Sequence, residues 1–274
     1  MSPVLYQPFP LIGSRRGQLW RYAPEYRRPR HFHNEPELNL VMAGSGSFAA
    51  GKVRFEVEAG DLLCWPPGQD HELLQASADF DLFVVGLAAE FSERVLREQN
   101  ALALAGPTCV RLDPITLSRL RSLCRFPSLG LEPAVIEAHV ATFWREAHQR
   151  RLAARDRHPV GRRALISLLQ HHDLDRLQLA RSARGAQSEV SRQFHEHTGL
   201  TLTQYRTRLR LLAFIRCVDA GSTLLSAAMQ AGFGSYSQCH RTFSTAFGCT
   251  PRKFFGSQLR IDMSDAFATR PGRA

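Results

Sequence analysis

A short pattern near the end of this chain occurs twice, and that repetition limits its fold more than any other feature. Ser191, Arg192, Gln193 and Phe194, followed by Gly199, Leu200, Thr201 and Tyr205, return as His240, Arg241, Thr242 and Phe243, followed by Gly248, Cys249, Thr250 and Phe254. Arginine, phenylalanine, glycine, threonine and an aromatic recur at an offset of 49. Upstream, Ala180 and Ala228 are related by 48, so the second unit carries one extra residue in its turn. Such repetition means one supersecondary unit used twice.

Each unit reads as helix, turn, helix. In the second, residues 224–230 form a short helix and 231–234 the turn, where glycine permits positive φ. Ser235 and Gln238 have the spacing of a capping box opening the next helix. Within it Cys239 and Phe243 are four apart and face inward, leaving Tyr236, Ser237, Gln238, His240 and Arg241 on the other faces. Phe194, Phe233, Phe243 and Phe254 are assigned to the core. Thr250 and Pro251 start a last helix as N-cap and first-turn proline. A long helix over 202–219 separates the units, opened by a second box, Thr201 to Gln204, with Leu209, Leu212, Phe214, Ile215 and Val218 on its apolar side. Residues 160–274 hold 16 Lys+Arg against 7 Asp+Glu, a net +9 of the chain's +10. A polyanionic partner is expected there, because neutralising phosphates releases counterions.

The first ninety residues differ. Short apolar runs at 18–22, 38–42, 46–50, 53–57, 61–65 and 80–87, punctuated by Gly and Pro, predict strands of a sandwich or barrel. Helical periodicity follows at 92–100, 115–124 and 132–155, with Pro133 in a first turn. Val135, Ile136, Val140, Phe143 and Trp144 recur at helical spacing, which suits a helix packed on its own barrel or a dimer interface. The charged stretch 155–159, ending in proline, is read as a linker, and 263–274 as a frayed tail. The expected division is 1–91, a sensor barrel; 92–158, a helical linker and dimerisation segment; 159–258, the paired units; and 259–274, a tail. No run of eighteen apolar residues predicts a membrane span, and residues 1–10 lack a secretory pattern, so a cytoplasmic protein is expected. The six cysteines include no C-x-x-C pair and read as reduced thiols rather than a disulfide framework or zinc finger.

The C-terminal pattern resembles the DNA-binding domain of AraC/XylS-type transcription regulators. The residues that carry the resemblance are Leu179-Ala180, Ser191-Arg192-x-Phe194, Gly199-Leu200-Thr201, Tyr205, Arg210, Ala228-x-x-x-Gly232-Phe233, Arg241-Thr242-Phe243 and Gly248-x-Thr250-Pro251. The resemblance implies seven helices, with two reading helices held apart by the long one and entering successive major grooves of double-stranded promoter DNA about one turn apart. Carried over by position, the first reader comprises Gln187, Ser188, Ser191 and Arg192, and the second Tyr236, Ser237, Gln238, His240 and Arg241. Arg192 and Arg241 suit bidentate contacts to guanine, or else bind phosphate or a helix carboxylate; Gln238 suits adenine. Tyr236 suits a thymine methyl or phosphate, and His240 a phosphate or base. The resemblance further implies RNA polymerase as a partner and a homodimer. Two departures stand out. Arg184, Gly185 and Ala186 replace the family's usual glycine, apolar residue and serine, which puts the start of the first reader and Gln187 in question. Ala227 replaces an isoleucine.

Towards the N-terminus, His31-Phe32-His33-x-x-x-Glu37 with Gly44, then Gly60-x5-Pro66-x-Gly68-x2-His71, resemble the two short motifs of cupins, barrels that serve many such regulators as sensors. Glu25 and Gln75 depart from that pattern. The fold class expected is therefore α+β: an N-terminal cupin-like β-barrel followed by helices, then an all-α C-terminal domain with two helix-turn-helix units. His31, His33 and Glu37 share one strand parity, although Pro36 interrupts the pairing, and His71 arrives from a neighbouring strand. The four form a candidate site for a divalent transition metal whose identity ligand type alone does not fix. A pocket for an organic effector, with Cys64 and Trp65 at its wall, and a purely structural cluster are the alternatives; Trp65 also suits the core. The function expected is an effector-controlled DNA-binding regulator and not an enzyme. A metal-dependent cupin enzyme fused to a DNA-binding domain is the rival reading.

Overall fold

The computed structural model describes residues 5–7, 9, 16–22, 29–88, 106–124, 133–151 and 158–256. The expected helix at 92–100, residues 155–157 of the expected linker and the tail from 263 lie outside them.

Among the described residues ten strands come first: β1 Leu5–Tyr6, β2 Gly17–Arg21, β3 His31–Phe32, β4 Glu37–Ala43, β5 Ser45–Ala50, β6 Val53–Glu58, β7 Asp61–Trp65, β8 Glu72–Ala76, β9 Asp81–Leu87 and β10 Thr108–Arg111. One sheet has the order β10-β7-β4-β9-β2, a second β6-β5-β8, and β1 pairs in parallel with β3. The two larger sheets face each other as in a cupin-like jelly roll; among the described residues they do not join into one closed ladder. β10 falls in the stretch expected to be helical, where it extends the large sheet by pairing with β7.

Strand alternation divides the side chains between two cores. Val41, Leu63, Trp65, Leu82 and Val84 point between the sheets, where they meet Phe48, Val57 and Phe80. Their neighbours Leu38, Leu40, Leu62, Cys64, Val85 and Leu87 point the other way, onto helices α1 (Pro114–Cys124) and α2 (Pro133–Arg151). There Ile136, Val140, Phe143 and Trp144 of α2 are buried, each of the first three contributing roughly 1.5–3 kcal/mol. The apolar side of this helix is thus spent on its own sheet, while Val135 remains exposed.

Among the described residues seven helices follow: α3 Pro159–Gln170, α4 Arg176–Ala183, α5 Gln187–Thr198, α6 Leu202–Asp219, α7 Leu224–Gln230, α8 Tyr236–Phe247 and α9 Pro251–Gly256. α6 serves two cores. Its Leu209 and Leu212 join Leu165, Leu179 and Phe194, whereas Leu211, Phe214 and Ile215 join Phe233, Cys239, Phe243 and Phe254. The expected core phenylalanines are all buried. The two domains also pack on each other. Phe32 of β3 enters the core of α3–α6, and the Tyr6 ring lies 5.1 Å from that of Phe247. Gly51 backs onto Gly199 so closely that a Cβ on Gly199 would come within 2.3 Å of the Lys52 amide nitrogen. Among the described residues no helix is long and apolar enough to cross a membrane.

Candidate functional site

The reading helices are set by their caps. α6 opens with the expected reciprocal box, Thr201 accepting from the Gln204 amide and Gln204 from that of Thr201. α8 keeps only half of one. Ser235 accepts from the Gln238 amide, but the Gln238 side chain instead accepts from the Gly234 amide at 3.0 Å. α5 begins at Gln187 behind Ala186, which has cap geometry and no side-chain bond, so the missing serine does not displace the helix start. The turn before it has Arg184 in the left-handed region at φ 53°, the position that Gly232 fills in the second unit at φ 80°.

Gln187, Ser188, Ser191 and Arg192 are exposed on α5; Ser237, Gln238 and Arg241 are exposed and Tyr236 and His240 half-buried on α8. Cys239 and Phe243 point inward, as their spacing requires. Arg192 forks onto the Glu196 carboxylate, with both oxygens 3.0 Å from one guanidinium nitrogen. The Ser191 hydroxyl donates to the Gln187 carbonyl, and the Tyr236 and His240 rings meet edge to face at 6.0 Å. Burial raises the Tyr236 phenol, so it presents a neutral hydroxyl.

In the sensor domain, His31 and His71 face each other across an isolated antiparallel bridge, and the chain returns through His33 to Glu37 at the start of β4. All four are buried. The three histidines each offer a ligand atom within 4.8 Å of the others'. Each ring turns Nδ1 toward a backbone carbonyl: Pro29 for His31 at 2.9 Å, Glu35 for His33 at 2.7 Å, Gln69 for His71 at 3.3 Å. A carbonyl only accepts, so each Nδ1 donates and Nε2 is the atom each ring can offer to a metal, the orientation of metal-ligating histidines; at His33 that atom meets the Glu37 carboxylate, and a bound ion would replace the hydrogen between them. The Glu37 carboxylate lies 3.1 Å from Nε2 of His33 and 3.6 Å from that of His71, near the ~3 Å that separates neighbouring ligands on an ion with bonds of about 2.1 Å. Asn39 donates to its other oxygen at 2.6 Å. Burial alone raises this carboxyl, but the charges and hydrogen bonds of His71 and His33 outweigh it and hold Glu37 well below its usual range. The donor set thus fits a transition metal: three imidazoles and one ionised carboxylate, each oriented by a second contact.

Trp65 walls the cluster, its ring stacked on His71 at 5.0 Å and its indole donating to Asn39. Cys64 faces the helices instead and does not line the site. A cavity of about 750 Å³ bordered by Ser47, Glu56, Asp61, Gln75 and Arg111 includes none of the cluster histidines. Sequence reasoning missed Asp70. It is fully buried between Arg30 of the sensor and Arg208 of α6. Burial pushes its carboxyl up, but Arg208 and Arg30 hold it below the usual carboxylate value.

Residues 14–151 match the AraC-like ligand binding domain and residues 179–257 a helix-turn-helix domain. The chain belongs to the AraC-type transcription regulators. Its N-terminal domain is the family's ligand-binding domain and its C-terminal domain the DNA-binding one. Among solved structures it is similar to ToxT from Vibrio cholerae O395 at 11% identity, over 88% of this chain and 96% of that one, with a TM-score of 0.45. It is also similar to the AraC-like transcriptional activator CuxR at 15% identity, over 69% and 68%, with a TM-score of 0.37. The plu4264 protein from Photorhabdus luminescens is 28% identical over 30% of this chain and 69% of its own, with a TM-score of 0.25. No curated protein matches the chain by sequence.

Proposed function

We propose that this AraC-type regulator reads promoter DNA through Gln187, Ser188, Ser191 and Arg192 of α5 and Tyr236, Ser237, Gln238, His240 and Arg241 of α8, and that its effector is a divalent transition metal held by His31, His33, His71 and Glu37. The DNA reading is supported by the exposure of both arginines on helices whose opposite faces are buried. One observation supports the metal reading: all three rings are oriented by backbone carbonyls at Nδ1, which leaves Nε2 as the atom each can offer to an ion beside the Glu37 carboxylate. The metal would add a positive charge to the site and bind the sensor strands together. No enzymatic step is proposed. The active form is proposed to be a homodimer that contacts RNA polymerase in the cytoplasm, a setting consistent with free cysteines among the described residues.

Two measurements test this. Full-length protein dialysed against cobalt, nickel, zinc and copper should retain close to one ion per chain, and His33→Ala should lose it. Retention no greater than in that variant would remove the metal from the proposal. Duplexes selected from a random pool should bind at ~0.15 M salt at least about a thousandfold more tightly than unselected duplex. Equal affinity for both would overturn the sequence-reading assignment.

A further inference from the structure

The turn 66–71 has two sides. One belongs to the histidine cluster. His71 exchanges backbone hydrogen bonds with His31, its ring stands among the cluster, and the Gly68 amide donates to the His33 carbonyl at 2.9 Å. The other side belongs to the DNA-binding domain. The Pro67 carbonyl accepts from the Tyr205 hydroxyl at 2.6 Å, and the Gly68 carbonyl from Arg208 at 3.2 Å. Gln69 donates to the Thr198 carbonyl at 3.1 Å, and Asp70 holds the Arg208 guanidinium at 2.5 Å. The three partners, Tyr205, Arg208 and Thr198, lie on α6 or at the end of α5. Arg208 also stands over the Phe32 ring, 5.2 Å from its centroid, and Phe32 is flanked by His31 and His33.

Resting on the metal reading above, we infer that this turn couples the cluster to the helix between the readers, so that metal occupancy tightens the docking of α6 on the sensor. The physical route is short. The ligand atoms already lie within 4.8 Å of one another, and an ion with bonds of about 2.1 Å would fix them at no more than about 4.2 Å apart. His71 is one peptide bond from Asp70, and the turn between them is buried and bonded on both sides, so its motion is not absorbed by slack. A metal that immobilises His71 also immobilises Asp70, and Arg208 then meets a carboxylate already held in place. Arg30, one residue before His31, grips the same carboxylate from the sensor side. The readers stay exposed in the docked arrangement, so the device acts by holding the rod between them rather than by covering them.

Hydrogen exchange of the full chain with and without cobalt(II), alongside calorimetric titration of the same ion, tests the coupling. In the wild type, cobalt should bind and slow exchange of the amides at 202–212 by about fivefold or more, the scale of ordinary coupling between two sites, with the amides of α8 as internal reference. Asp70→Asn and Arg208→Gln, neither of which removes a metal ligand, should bind cobalt with affinity changed by no more than the lost coupling and show no such slowing. His33→Ala should lose binding and slowing together. Should Asp70→Asn fail to fold, Arg208→Gln carries the comparison from the other side of the contact. Absence of cobalt binding by the wild type overturns the metal reading and this coupling with it. Cobalt binding with equal slowing in wild type and both variants, or none in any, overturns the coupling and leaves the metal site standing.

Discussion

Arg192→Ala separates a base-reading role from a structural one. The side chain is 61% exposed, and the carboxylate it holds, Glu196, is 40% exposed. An i,i+4 pair in that much solvent contributes only about 0.3–0.5 kcal/mol, further weakened by salt. Removing it should leave the thermal midpoint within about 2 °C of wild type. A bidentate guanine contact carries about 1–3 kcal/mol of discrimination, or roughly five- to 150-fold in affinity. The assay is fluorescence anisotropy on a selected duplex and on its single-base variants at two salt concentrations. Arg192→Ala should lose affinity for the selected duplex and become indifferent to one base pair. Glu196→Gln should tighten binding by a few-fold, because it frees the guanidinium and removes a carboxylate from a DNA-facing helix, an exposed-charge effect of about 1 kcal/mol. A uniform loss across all duplexes, with the salt slope reduced by about 0.9, would make Arg192 a phosphate contact. No loss at all would remove it from the interface.

Three further outcomes are expected. Arg184→Gly should raise the thermal midpoint, since a left-handed L-residue costs about 1–2 kcal/mol and the added chain entropy of glycine offsets only about 0.5–1 of it; a lower midpoint would mean that the arginine side chain outweighs its backbone. Gly199→Ala and Gly248→Ala occupy equivalent helix ends at φ 69° and 67°, but only the first has a neighbouring domain against its Cβ position. In denaturant titrations Gly248→Ala should lose about 1–2 kcal/mol and Gly199→Ala distinctly more; equal losses would contradict the domain packing. Burial pushes the thiols of Cys109, Cys124 and Cys239 up to about 12, and Cys64, Cys124 and Cys239 are fully buried, whereas Cys109, Cys217 and Cys249 are half-buried. Iodoacetamide at pH 8 should therefore modify Cys217 and Cys249 first, because the thiolate is the nucleophile, and peptide mapping that finds Cys239 among the earliest sites would contradict its position in the core.

Several local features were legible from the residues alone. The offset of 49 predicts two equivalent units, and Phe194 and Phe243 do occupy matching core positions. The extra residue in the second turn is visible as Gly232, Phe233 and Gly234 where the first has Arg184 and Gly185. Cys239 and Phe243 declare their face through helical spacing; His31, His33 and His71 do converge, but β3 ends at Phe32 and Glu37 opens another strand, so the loop between them and not a shared strand parity brings them together. The half-formed box at Gln238 was not legible, because Gly234 and Ser235 compete for the same amide oxygen and only the turn geometry chooses between them.

Periodicity and caps are short-range signals, and they specified what short-range forces control: the paired helical units, the alternating strands and the inward faces of both. Contacts between residues more than a hundred positions apart leave no such trace. Asp70 reads as an ordinary turn carboxylate beside His71, and Arg208 as one of many charges on α6, until the folded chain buries them together. The same holds for β10, whose pairing with β7 has no local signature, and for Val140 and Trp144, whose spacing fits any apolar partner. Tertiary packing alone decided that their partner is the chain's own sheet, and that one buried turn touches both the histidines and the helix between the readers.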